Sequence, residues 1–214
     1  MIGIFRVTLV VGVLAAQHVR AAQKDLSAVL AVRVYNYAGV EKHILAGAQR
    51  QAASILSRAG AITNWIGCAV SAAQAGSEPG CAQPPSGAEI VLKLLSHAMA
   101  QKTNQPAHTF GFAVPTSPAG LGSVFIFAKR AEELALSGRF SVGYDGARAV
   151  VLGHVIVHEI GHLLLGPGSH SRTGIMSYPW SQTELKQMAT AHLSFTDGEA
   201  AVIRQRLAPG KHNP

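Results

Sequence analysis

The sequence predicts an α+β domain: a mixed twisted sheet, a backing helix, a buried helix that carries polar residues, and a C-terminal helix. Three observations predict it. Short β-rich runs recur in the first two thirds of the chain, an amphipathic helical pattern sits among them, and a long apolar helical stretch carries His154, His158, Glu159 and His162. With 214 residues, 48% of them hydrophobic and 14% charged, the chain can bury one good-sized core, so one domain is expected.

The elements follow in order. Met1 to Ala21 has a short n-region with Arg6, an apolar run from Val7 to Ala16, and small residues ending at Ala21. That run is too short to cross a bilayer and reads as a signal peptide, residues 1–21. Residues 22–214 then form the single domain of a secreted or periplasmic protein, with no stable membrane insertion after cleavage. Leu30, Val32 and Val34 alternate with polar or small residues, the period of a strand. A helix from about Glu41 places Ile44, Leu45, Ala48, Ala52, Ile55 and Leu56 on one face and meets Gly60. Ile62 to Ile66, Glu89 to Leu95 and Ser123 to Ala128 are further β-rich runs; Pro84 to Gly87 and Pro115 to Gly122 read as loops, the second bordering a cleft. Gly146 to Leu165 is apolar nearly all round, the mark of a buried helix. Thr196 and Glu199 form a capping-box pair that opens a last helix through Leu207, and residues 209–214 read as a loose tail.

The formal charge of +7 excludes little by itself. Loss of Arg6 and Arg20 with the signal peptide lowers it, and the remaining basic residues are scattered, without the blocks or interleaved aromatics of nucleic-acid binders. No nucleic-acid partner is expected. Cys68 and Cys81 are the only cysteines and flank a Gly/Ser/Ala/Pro stretch. In an exported chain they are expected to pair, which in the chain-entropy model contributes about 3 kcal/mol. The alternative is a free thiolate that caps a metal.

The chemistry concentrates at His158-Glu159-Ile160-Gly161-His162. Residues four apart share a helix face, so both imidazoles can reach one zinc ion, and Glu159 beside it is free to act as a general base toward water. His154 also lies one turn before His158. It stands about 12 Å along the axis from His162, too far for both to bind one ion at about 2.0 Å. It reads as a satisfied buried histidine or as a group supporting the ligands.

Together with Gly166, His170 and the run Gly174-Ile175-Met176-Ser177-Tyr178, this segment resembles the metzincin zinc peptidases, whose pattern is H-E-x-x-H-x-x-G-x-x-H followed by a Met-turn. The resemblance spans His158 to about Tyr178 and implies a zincin-like fold with a Met-turn between the buried helix and the last one. It implies His158, His162 and His170 as zinc ligands, Glu159 as base, Met176 as the hydrophobic floor beneath the ligands, and Tyr178 as a donor to the transition state. The spacing departs from the family at one place: Leu165 stands where the glycine is expected, Gly166 follows, and the third histidine arrives two residues late. Glu184 and Glu199 therefore stay open as alternative third ligands. The expected protein is a monomeric, secreted, zinc-dependent metalloendopeptidase acting on a peptide or protein substrate. The alternatives are an exported zinc-binding or partner-binding module without proteolysis, and a metal-free core helix.

Overall fold

The computed structural model describes residues 29–71, 81, 84, 87–116, 120–138 and 140–208. The expected signal peptide and the tail 209–214 lie outside the described residues. The alternation at Leu30, Val32 and Val34 gives strand β1 (Val29–Asn36), with all three side chains buried. Helix α1 (Lys42–Arg58) follows, with Glu41 as N-cap and with Ile44, Ala48, Ala52, Ile55 and Leu56 on its buried face. Strands β2 (Ile62–Cys68) and β3 (Gly87–Leu95) come next and flank β1 on its two sides, both parallel to it. Cys68 and Cys81 form a disulfide across the start of their connection, with Cα atoms 5.7 Å apart.

Beyond β3 stand the short α2 (His97–Gln101), then β4 (Gly111–Pro115) and β5 (Gly120–Phe127). The five-stranded sheet has the order β2-β1-β3-β5-β4, with only β4 antiparallel to its neighbour. Here the expected loop from Pro115 to Gly122 is corrected. Pro115 closes β4, Gly120 opens β5, and Pro115 stands opposite Gly122. A proline is tolerated there because β4 is an edge strand, where a missing N–H need not break the ladder.

Helices α3 (Ala128–Ser137), α4 (Tyr144–Leu165), α5 (Gln182–Ala189) and α6 (Asp197–Leu207) complete the chain. Ile90, Leu92, Leu94, Val124 and Ile126 of the sheet share one core with the buried faces of α1 and α4. Each fully buried aliphatic side chain contributes about 1.5–3 kcal/mol, so this layer is the main stabiliser of the fold. By length and hydropathy α4 could cross a membrane, but most of it is buried inside the domain. It begins two residues before the expected Gly146 and ends at Leu165 as expected. Gly166 follows with φ 102° and ψ 172°, a conformation essentially restricted to glycine.

Candidate metal centre

The polar residues of α4 emerge from this core at its C-terminal half. His158 and Glu159 are only 6% and 5% exposed, an arrangement that costs free energy unless the groups are partnered or used. The three nitrogens offered by His158, His162 and His170 all lie within 4.8 Å of one another. His170 reaches the pair from the loop after α4, which turns at Gly166 and Gly168, both at positive φ. The extra loop length relative to the family spacing therefore does not keep its imidazole from the other two.

The hydrogen bonds around these rings select their tautomers. His158 Nδ1 lies 2.7 Å from the Ile175 carbonyl, which can only accept, so Nδ1 carries the proton and Nε2 keeps its lone pair. Trp180 Nε1 donates to the same carbonyl at 3.1 Å. His162 Nδ1 meets the Ser169 hydroxyl at 3.0 Å, which leaves Nε2 as the ligand atom when the hydroxyl accepts. The Tyr178 ring stacks on His170, with centroids 5.0 Å apart and planes at 14°. Burial pushes His158 and His162 down to about 4, helped by the other imidazoles of the cluster, and lowers His170 as well, the direction that favours the neutral form metal ligation requires.

Glu159 behaves differently from every other acid described. Its carboxylate has no hydrogen bond or ion pair among the described residues, and burial pushes its pKa up to about 8. It lines a cleft of about 390 Å³ together with the three histidines, Tyr178, Phe110 and Trp180. A carboxyl group facing the same cleft as three imidazoles, with its pKa raised toward neutrality, is suited to exchange a proton with a molecule bound there.

Met176 is fully buried in a turn closed by Ser177 N–H to the Gly174 carbonyl (3.1 Å). A Cβ built on Gly161 would fall 2.3 Å from the Met176 sulfur, so the glycine between the two helical histidines lets the methionine lie against the helix at that level. The candidate carboxylates are elsewhere. Glu184 accepts from Ser181 N–H (2.9 Å) and Oγ–H, and Glu199 accepts from Thr196 N–H (2.8 Å), each closing a capping box. His154 is fully buried, with Nδ1 bonded to the Val150 carbonyl at 2.7 Å, and it stands apart from the three-histidine group. Its Nε2 makes no full hydrogen bond, the Leu193 backbone being only a weak polar neighbour.

Several parts of the site gave no sequence signal. Phe110 precedes and Gly111 opens a strand that the sequence pattern does not predict, and the role of the Ile175 carbonyl is invisible in a residue name. Trp180, four residues past Met176 in a Ser/Pro-containing turn, is the one that could have been singled out as a wall residue.

No protein-family model matches the chain, and no curated protein matches it in sequence. Among solved structures it is similar to archaemetzincin from Methanopyrus kandleri, with 14% identity over 87% of this chain and 98% of that one, at a TM-score of 0.48.

Proposed function

We propose that this chain is an exported zinc-dependent metalloendopeptidase of metzincin-like type. The observation that carries the proposal is the convergence of His158, His162 and His170 within 4.8 Å at a cleft that is also lined by Glu159, a buried acid with no partner among the described residues. Three neutral imidazoles are the donor set of a catalytic zinc, which keeps a further position open. Zinc held there would polarise a peptide carbonyl and bring the pKa of water to near 7. Beside a bound zinc ion, whose positive charge favours the ionised form, Glu159 would be a carboxylate rather than the acid that burial alone favours, and it would take the proton from the attacking water and pass it to the leaving amine. Ile175 and Ser169 hold the ligand rings in the tautomer that presents Nε2. Tyr178, which lines the cleft and stacks on His170, would donate its hydroxyl hydrogen to the developing oxyanion. The turn that buries Met176 against Gly161 supports reading it as a Met-turn.

A peptide substrate is supported by β4, whose outer edge has no strand beside it among the described residues and whose Gly111 and Ala113 line the cleft. An extended peptide can add to such an edge by main-chain hydrogen bonds. Export is supported by the apolar N-terminal run and by the disulfide, which suits an oxidising compartment. The test is cleavage of a mixed peptide library by purified protein, with and without a chelator. Cleavage that stops on chelation and returns with zinc supports the proposal. Zinc binding without cleavage replaces it with a binding module, and absence of zinc binding removes it altogether.

A further inference from the structure

Segment 102–110 contributes Gln105, Thr109 and Phe110 to the cleft wall, yet it belongs to no helix or strand. Its anchor is Arg130. Nη1 donates to the carbonyls of Pro106 (2.7 Å) and Thr109 (2.6 Å), and Nη2 reaches that of Gln105 at 3.5 Å. The guanidinium also lies over the Phe127 ring, 4.3 Å from its centroid. This cation sits in the first turn of α3, where the helix dipole disfavours positive charge, and it has no carboxylate partner among the described residues. Its charge-assisted bonds go to the loop instead.

The tether continues to the metal ligands. Phe127 N–H donates to the Phe110 carbonyl at 2.8 Å, and the Phe110 ring stacks on Trp180 with centroids 6.1 Å apart. Trp180 meets His158 edge-on at 5.6 Å and shares the Ile175 carbonyl with it. We infer that Arg130 is a positioning residue that fixes the 105–110 wall of the cleft and, through Phe110 against Trp180, the substrate-binding surface beside His158. This inference rests on the peptidase reading for its kinetic test, but not for its structural one. A lysine replaces the guanidinium only in part, because one ammonium on a flexible stem does not span three carbonyls as a planar fork does.

The experiment compares zinc-loaded wild type with Arg130→Ala and Arg130→Lys. Loss of the charged clamp is expected to raise KM about 10-fold in Arg130→Ala while kcat and zinc stoichiometry stay near wild type. Added guanidinium ion should lower that KM again, and Arg130→Lys should show an intermediate KM. In a Trp65→Phe background, where Trp180 is the only tryptophan, Arg130→Ala should make its fluorescence more accessible to acrylamide. Unchanged KM or unchanged quenching overturns the inference, and so does a fall in kcat with zinc loss. If the wild type cleaves nothing, the peptidase proposal fails and the quenching result alone decides this one.

Discussion

Gly111 leaves the space that the Glu159 side chain occupies. A Cβ at Gly111 would stand 2.9 Å from Glu159 Cγ, 3.0 Å from its Oε1 and 2.6 Å from the Phe125 carbonyl oxygen. The first residue of the edge strand thus sets where the carboxylate can lie. Gly111→Ala should cost about 1–3 kcal/mol of stability, as forced overpacking does, and should lower peptide cleavage while zinc content is retained, since no metal ligand is on β4. Denaturant unfolding, metal analysis and kinetics check this together; wild-type stability and activity would show that the carboxylate has room to move.

The elements that were legible in the sequence are those with strong periods. Leu30/Val32/Val34 and the α1 face declare themselves because each period of 2 or 3.6 turns one side to the core. The capping box of Thr196 and Glu199, and the histidines at 158 and 162, are local patterns, so their meaning does not depend on the rest of the chain. β4 was missed because Gly111-Phe-Ala-Val-Pro115 is short, at the edge, and bracketed by residues that read as turns. The α5 capping box shows the converse: Ser181 and Glu184 carry a helix-start signal, and the same Glu184 also reads as a candidate metal ligand until its oxygens are seen to close the cap. The partners of the ligand rings were illegible because Ile175 acts through its backbone and Ser169 through loop geometry.

The third ligand is tested by substitution. Because His170 joins the cluster while Glu184 and Glu199 close helix caps, His170→Ala should weaken zinc binding far more than Glu184→Ala or Glu199→Ala. The two glutamate variants should instead lose about 0.3–1.5 kcal/mol of stability, since each breaks one half of a capping box. Zinc titration and thermal unfolding separate the effects, and a cap variant that loses zinc while His170→Ala keeps it would reverse the assignment.

Tyr178, which lines the cleft, has two separable features, its ring stacked on His170 and its hydroxyl. Tyr178→Phe keeps the ring and should lower kcat by on the order of 10²-fold or less with KM little changed, as expected for one oxyanion donor. Steady-state kinetics with unchanged kcat would reduce Tyr178 to a packing partner of His170.

His154 predicts how stability depends on pH. Burial pushes its pKa down from 6.5 to about 4, so between those values the unfolded chain binds the extra proton and folding weakens as pH falls. Its contribution is intact above about pH 6.5 and lost progressively toward pH 4, by about 3 kcal/mol in all. Metal-free wild type should therefore lose more stability over that window than His154→Leu, with the acid-sensitive His158 and His162 common to both proteins. Parallel stability curves from urea unfolding would show that His154 accepts a proton in the folded state.

The central claim is that Glu159 works on the proton and not on the metal. Glu159→Ala, measured for zinc stoichiometry and for hydrolysis of the same peptide, puts it to the most direct test. The predicted result is zinc content near that of wild type with hydrolysis reduced about 10²- to 10⁴-fold. Loss of zinc would make the carboxylate a ligand, and unchanged hydrolysis would mean that the base is another group; either result contradicts the account.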